Sequence, residues 1–162
     1  MELLYAGIGS RRTPEYILKY MTRIASKLEL LGYKLRSGGA QGCDKAFEAG
    51  VRIPENKEIF KSKDSTFEAI KLASEHHPFW ERCSTPVRKL HGRNSMILLG
   101  ENLNNPVKFV ICYTKDGKNS GGTGLGMNIA DAKSIPVFNL FFPNVRKRID
   151  KFLEIDTPID LF

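Results

Sequence analysis

The sequence contains few cysteines and no long apolar run. Its three cysteines, Cys43, Cys83 and Cys112, lie far apart and form no CxxC pair, which argues against a disulfide framework or a zinc knuckle. We therefore expect free thiols and no bound metal. A helix that spans a bilayer needs about 20 apolar residues in a row, and no apolar run here is that long. The sequence also shows no signal-peptide pattern, in which a charged segment precedes an apolar one. The sequence predicts a cytoplasmic protein without a membrane partner.

Acidic residues are the minority among the charged side chains. The 162 residues include 25 Lys and Arg against 18 Asp and Glu, which gives a net charge of +7. A basic balance favours an anionic partner, although solvated surface lysines produce the same excess. The hydrophobic content of 41% is ordinary for a soluble globular protein. A chain of this length has room for one real core, so we expect a single domain over residues 1–162.

Strand and helix patterns alternate along the chain. Short apolar runs predict five strands, at residues 3–8, 33–37, 57–62, 107–113 and 135–141. Periodic segments predict helices from Thr13 as N-cap to Gly32, at 43–51, 127–134 and 144–154, and an interrupted one over 66–100 with breaks at 76–79, 84–86 and Gly92. Alternating strands and helices are typical of a parallel sheet with helices on its faces. We predict an α/β fold, a single Rossmann-like, doubly wound parallel sheet of about five strands with flanking helices.

Glycine-rich turns follow the first, second and fourth predicted strands: GIGSRR (7–12), SGGAQG (37–42) and SGGTGLG (120–126). Glycine weakens strands and helices, so its concentration indicates either tight strand-to-helix turns or backbone that approaches a ligand. The carboxyl ends of parallel strands meet at one edge of a sheet, and the helix starts there attract phosphate. We therefore predict a phosphate-binding pocket. Its candidate residues are Gly7, Gly9, Ser10, Arg11, Arg12, Ser37, Gly38, Gly39, Gly42, Asp44, Ser120, Gly121, Gly122, Thr123 and Gly124.

The first turn departs from the dinucleotide-binding fingerprint in two ways. Arg12 stands where the third glycine of G-x-G-x-x-G belongs, and the second strand ends in Arg36-Ser37 without the acidic residue that holds a ribose. NAD-dependent chemistry is therefore not expected, and no cofactor is predicted. Arg11 and Arg12 are instead predicted to hold a phosphate through bidentate hydrogen bonds.

Four segments, in this order, resemble the SLOG superfamily of Rossmann-like proteins: GIGSRRTP, LRSGGAQGCDKAFEAG, HGRNSMILL and SGGTGLGMNIADAKSIPVFNL, within residues 3–140. Within it the chain looks most like the DprA family, whose S-G-x-A-x-G-x-D segment is matched at Ser37–Asp44 and whose serine-glycine pair is matched at Ser120-Gly121. Its arginine-asparagine pair is matched by Arg93 and Asn94, which join the predicted pocket. The resemblance implies single-stranded DNA binding, although neither DprA flanking domain is matched.

Two other branches of this superfamily bear on the interpretation. LOG enzymes cleave a nucleotide's N-glycosidic bond with a glutamate in P-G-G-x-G-T-x-x-E. Aligning Gly121, Gly122 and Gly124 leaves Met127 and Asn128 where the acids belong, so LOG-type hydrolysis is disfavoured. Short YspA-type members are thought to bind nucleotides, and their size matches this chain. Because such small proteins are common in bacteriophage genomes, the resemblance suggests a phage origin.

Three functions remain open at this point. The first choice is binding of a nucleotide or nucleotide-derived ligand; the second is single-stranded DNA binding; the third is a hydrolase or transferase acting at an N-glycosidic bond. Homo-oligomer formation is also open. The third function needs a carboxylate, for which Asp44, Glu48, Asp116 and Asp131 are candidates. The simpler role for Asp44 is to cap its helix.

Several conspicuous residues receive a structural interpretation. His76 and His77 adjoin a proline and are expected in a surface turn and not at a metal, whereas His91 is a candidate to enter the pocket. Phe79 and Trp80 are expected to pack onto the sheet. The basic segment 146–151 is expected to be solvated, or else to provide an electrostatic footprint away from the pocket.

Overall fold

A five-stranded parallel sheet forms the centre of the protein. The computed structural model describes residues 2–155. The strands are β1 (Leu3–Gly7), β2 (Tyr33–Ser37), β3 (Lys57–Ile59), β4 (Phe109–Cys112) and β5 (Val137–Asn139). They lie in the order β3-β2-β1-β4-β5, and every neighbouring pair is parallel. The predicted fold class is confirmed. The expectation of one domain over 1–162 extends to Met1 and residues 156–162, which lie outside the described residues.

Helices cover both faces of the sheet. The described residues form α1 (Glu15–Leu30), α2 (Cys43–Ala49), α3 (Phe67–His76), α4 (Thr85–Leu99), α5 (Gly121–Ala132) and α6 (Pro143–Leu153). On one face Tyr5 of β1 packs with buried residues of α1, α2 and α6. On the other face the next residue, Ala6, packs with buried residues of α3, α4 and α5. Parallel strands buried on both faces read as continuous apolar runs, which is why the strands were recognisable in the sequence.

The order of the strands places a change of direction between β1 and β4. From β1 the chain proceeds outward to β2 and β3, then crosses the sheet to β4 and proceeds outward again to β5. Ligands of open α/β sheets bind beyond the carboxyl ends of the strands at such a switch point. The turns after β1 and β4 meet there, and the turn after β2 lies beside them.

The helix boundaries differ from the prediction in two places. Helix α5 begins at Gly121 and not at residue 127, because burial of Leu125, Met127 and Ile129 in the core offsets the low helix propensity of its glycines. Helix α4 continues through Gly92 without a break. A Cβ at Gly92 would lie 2.7 Å from Cγ1 of Ile70, so glycine here permits close packing of α4 on α3.

The predicted helix caps at Thr13 and Asp44 were wrong. Pro14 occupies the N-cap position of α1, and the Thr13 hydroxyl donates to the Ser10 carbonyl at 2.7 Å. Gly42 is the N-cap of α2, while Asp44 lies in the first turn. All strands except β2 are shorter than predicted. Of the buried apolar residues that flank them, Ile8, Phe60 and Leu140 each donate one more backbone hydrogen bond to a neighbouring strand. The Val107 and Ile135 amides donate instead to α4 and α5. Among the described residues, no helix combines the length and apolar character needed to cross a membrane.

Candidate functional site

A cavity of about 610 Å³ opens at the switch point of the sheet. Its wall is formed by the turns after β1, β2 and β4, by the start of α5, and by one side of α4. The lining residues are Ile8, Gly9, Ser10, Arg11, Arg12, Ala40, Asp44, Val87, Leu90, His91, Arg93, Asn94, Thr114, Lys115, Asp116, Ser120, Gly121, Gly122 and Thr123. The cavity brings parts of the three glycine-rich turns together with residues 93–94.

The turn after β1 is anchored to β4 and to α2. The Ser10 amide donates to the Tyr113 carbonyl at 3.1 Å, and the Cys43 thiol donates to the Ser10 carbonyl at 3.3 Å. Burial raises the pKa of the Cys43 thiol to about 11, so this group is a neutral hydrogen-bond donor near pH 7. Arg11 and Arg12, by contrast, are exposed and line the cavity. A hydrogen-bonded turn thus presents two exposed cations to the cavity.

Asp44 is a buried carboxylate in the lining of the cavity. It is 6% exposed and accepts a hydrogen bond from the Ala40 amide at 3.2 Å. Desolvation raises its pKa, while the hydrogen bond from Ala40 and the charge of Arg93 act in the opposite direction. Burial likewise lowers the pKa of the Arg93 guanidinium, against the attraction of Asp44. The two groups therefore form a partly compensated pair in the wall of the cavity, with Asp44 buried and Arg93 half-buried.

Arg93 and Asn94 connect two of the glycine turns. The Arg93 Nη1 donates to the Gly38 carbonyl at 2.9 Å, and its Nε donates to the Asn94 side-chain oxygen at 3.0 Å. The Asn94 amide in turn donates to the Gly122 carbonyl at 3.3 Å. This chain of hydrogen bonds runs from the β2 turn to the start of α5, so α4 sets the spacing between them.

The first turn of α5 presents unobstructed backbone to the cavity. Its N-cap, Ser120, makes no capping hydrogen bond to the helix; the hydroxyl donates to Asp116 Oδ1 at 3.1 Å. A Cβ at Gly121 or Gly122 would meet no atom within 4 Å. Gly121 has φ of +64°, which favours glycine, but Gly122 has no such constraint. Among residues 2–155, nothing in the packing or in the backbone conformation requires glycine at 122, and its small size leaves room for a ligand at the helix start.

Some of the predicted site residues support the turns and do not line the cavity. Gly7 packs against Phe47 and Leu35, and the buried Ser37 hydroxyl donates to the Gly7 carbonyl at 2.6 Å. The others outside the lining are Gly38, Gly39, Gly42 and Gly124. That the predicted residues bind a ligand stays a prediction.

Other residues in the lining were not predicted as site residues. Val87 and Leu90 lie on α4, and Thr114 and Lys115 follow β4. For α4 the signal was present, since Leu90 stands one turn before Asn94 on the same helix. His91, which was a candidate to enter the pocket, lines it.

His91 also belongs to a cluster with His77 and Cys83, whose ligand-type atoms lie within 4.8 Å of one another. The His77 Nε2 lies 3.7 Å from the Cys83 sulfur, but its Nδ1 accepts a hydrogen bond from the Phe79 amide at 3.0 Å. A metal-bound histidine donates from its second nitrogen, so the backbone here holds the opposite tautomer. His77 and Cys83 are thus tied to the Phe79 backbone, whereas His91 only packs its ring on His77 at 4.7 Å, and its Nδ1 has no hydrogen-bond partner among the described residues. Burial lowers the pKa of His91 to about 4.

The carboxylates proposed for glycosidic chemistry are dispersed. Asp44 and Asp116 line the cavity. Glu48 instead pairs with Lys57 at 3.3 Å, and Asp131 accepts from Asn119 at 3.1 Å. Asn128, at the position of the LOG glutamate, donates to the His76 carbonyl at 3.3 Å.

The aromatic and basic segments outside the cavity have mixed roles. Trp80 packs against the core as predicted, whereas Phe79 is 56% exposed and the prediction that it packs was wrong. In the basic segment 146–151, Arg146 is structural because it donates to the Leu140 carbonyl at 2.7 Å, and Arg148 lies over the Phe138 ring at 5.5 Å.

Comparison with known proteins identifies a similar fold. No protein-family model matches the chain, and no curated protein matches it in sequence. A solved structure of DNA processing protein A from Helicobacter pylori, described for its single-stranded DNA binding mode, superposes with a TM-score of 0.58. The sequences are 16% identical, and the match covers 94% of this chain and 80% of that one. At this level of identity the likeness concerns the fold alone, which is Rossmann-like in this chain.

Proposed function

We propose that the cavity binds the phosphodiester backbone of single-stranded DNA. The observation that carries the proposal is the exposed, uncapped start of α5 facing Arg11 and Arg12 across one open cavity. Amide groups at a helix start and arginine side chains are both suited to phosphate oxygens. Beside the Gly122 backbone there is also open space that no described residue fills.

A DNA strand is preferred over a free nucleotide for three reasons. The cavity opens to solvent between exposed cations, so a chain can enter and leave it. The net charge of +7 favours an extended anion. The structurally similar Helicobacter protein binds single-stranded DNA. These points reverse the order in which the sequence alone ranked the two ligands.

The test is a titration of a fluorescent single-stranded oligonucleotide at two salt concentrations. The logarithm of affinity should fall with the logarithm of salt by about 0.7 per contacted phosphate. Arg11→Ala should weaken binding and reduce this slope, because it removes an exposed cation from the cavity. Lys133→Ala is the matched control, since it deletes the same charge at an exposed position after the far end of α5. Absence of binding at low salt, or equal loss in both variants, would contradict the proposal.

A nucleotide or nucleotide-derived ligand is the second candidate, supported by the size of the cavity. Its volume of about 610 Å³ lies within the range of about 300–1,000 Å³ typical of small-ligand sites. Calorimetry with nucleoside monophosphates, cyclic nucleotides and ADP-ribose separates the two. Saturable 1:1 binding without a steep salt dependence, together with no binding of the oligonucleotide, would replace the first proposal by this one.

Glycosidic-bond chemistry is supported only by Asp44, whose raised pKa suits a proton donor. Chromatography for free base after incubation with nucleoside monophosphates tests it. Base release that disappears in Asp44→Asn but persists in Glu48→Gln would establish the activity, because only Asp44 of this pair lines the cavity.

A further inference from the structure

Two exposed phenylalanines lie beside the cavity, in the turn between β5 and α6. Phe141 is 36% exposed and Phe142 is 40% exposed. Their ring centroids are 5.2 Å apart and their planes meet at 89°. An exposed aromatic ring does not gain the stabilisation that burial of apolar surface gives. Within the described residues, these two rings cover only part of the neighbouring turn. No residue in the described part of the chain covers the exposed sides of these two rings.

The aromatic pair is continuous with the cavity through the turn after β4. A Cβ at Gly117 would lie 2.6 Å from Cζ of Phe142 and 2.7 Å from Cδ1 of Phe141. The preceding residues, Lys115 and Asp116, line the cavity. The rings therefore begin where the cavity wall ends, with only the Gly117 backbone between them.

The backbone that carries the rings is held in place. The Phe141 amide donates to the Asn139 side-chain oxygen at 3.1 Å, and Arg146 Nη1 donates to the Phe141 carbonyl at 3.2 Å. Beneath Phe141 lies Tyr113, which is 8% exposed, with its ring centroid 6.4 Å away. Such a surface is preorganised, so that a ligand does not have to order it on binding.

The charges next to the rings indicate which class of ligand would bind on them. Lys115 and Lys118 are exposed on the turn that Phe141 and Phe142 contact, where these two cations outnumber the one carboxylate, Asp116. Apolar ring faces next to lysines match a nucleotide unit, in which a flat base is joined to a phosphate. An apolar peptide would have no use for the two cations.

We infer that Phe141 and Phe142 form a base-stacking platform, on which a base of the bound single strand lies when a neighbouring phosphate occupies the cavity. The inference rests on the proposed DNA-binding function and adds a subsite to it. Stacking on an aromatic ring tolerates any base, so the platform increases affinity without selecting a sequence.

The experiment compares two labelled oligonucleotides of equal length, one of thymidines and one of abasic sites. The double substitution F141A/F142A should weaken thymidine-strand binding by about fivefold to a hundredfold and leave abasic-strand binding unchanged. Phe152→Ala is the matched control: this phenylalanine is 64% exposed at the far end of α6. A separate variant, F142W, should show quenched tryptophan emission with the thymidine strand, after subtraction of the wild-type signal from Trp80.

The outcomes distinguish the inference from the function on which it rests. If the wild type binds both strands equally, or if Phe152→Ala costs as much as F141A/F142A, the platform is wrong and backbone binding stands. If light scattering shows that F141A/F142A dissociates a dimer, the rings belong to an interface between two copies and the inference fails. If the wild type binds neither strand at low salt, both proposals fail.

Discussion

The Arg93 guanidinium contacts Gly38 directly, with Nη1 donating to the Gly38 carbonyl at 2.9 Å. A Cβ at Gly38 would overlap this guanidinium and lie 2.8 Å from Oδ2 of Asp44. The glycine is therefore required by the packing of the pair, and a residue 55 positions later in the chain holds the turn after β2 in place.

Replacing Arg93 should reduce both stability and ligand binding. Arg93→Met removes the donors to Gly38 and Asn94 and leaves Asp44 without its cation, so we expect a loss of about 1–3 kcal/mol in the free energy of unfolding. Arg11→Ala, at an exposed position, should weaken oligonucleotide binding with no such loss. Urea unfolding and anisotropy titration of both variants provide the measurement. Unchanged stability of Arg93→Met would show that its hydrogen bonds do not hold the turns together.

Gly122→Ala should separate binding from folding. The added methyl meets no protein atom within 4 Å, and alanine has the higher helix propensity, so stability should stay equal or increase by up to about 1 kcal/mol. If a phosphate approaches this backbone, oligonucleotide affinity should fall at the same time. Thermal unfolding and titration of the same sample decide the matter. Undiminished affinity would place the ligand elsewhere in the cavity.

The stability of the protein should fall in mild acid because of His91. Its pKa is about 4 in the fold against 6.5 as the ordinary value, so the fold favours the neutral ring. This contribution is complete above pH 6.5 and is lost as the pH falls towards 4; between pH 7 and pH 5 the loss is on the order of 2 kcal/mol. Urea unfolding of the wild type and of His91→Gln at these two pH values measures it. Equal acid sensitivity in both proteins would assign the effect to other groups.

The three thiols should differ strongly in reactivity. Cys43 and Cys112 are buried, and desolvation raises the pKa of both thiols, which suppresses the reactive thiolate. Cys83 is partly exposed, so a thiol reagent should modify one residue rapidly under native conditions. Mass spectrometry after timed alkylation identifies it, and a Cys83→Ser variant should lose the fast phase. Rapid labelling of Cys43 would show that the turn after β1 opens in solution.

The sequence by itself determined the class of the fold and the edge of the sheet at which the candidate cavity lies. The strands could be recognised as apolar runs because parallel strands are buried on both faces. The glycine-rich turns lie at one edge of the sheet because the strands are parallel. Arg11, Arg12 and the glycines of the turn after β4 follow from these local patterns.

Only the tertiary structure decided which residues line the cavity and which of them support its turns. The roles of Arg93 and Val87 depend on how α4 packs against the turns after β2 and β4, which no local pattern encodes. The start of α5 was misjudged because core burial outweighed the low helix propensity of its glycines. Phe141 and Phe142 read as ordinary apolar residues at the end of a strand, and their exposure became visible because pairing in β5 stops at Asn139. Such contacts join residues distant in the chain, and their energies depend on neighbours that a linear sequence does not identify.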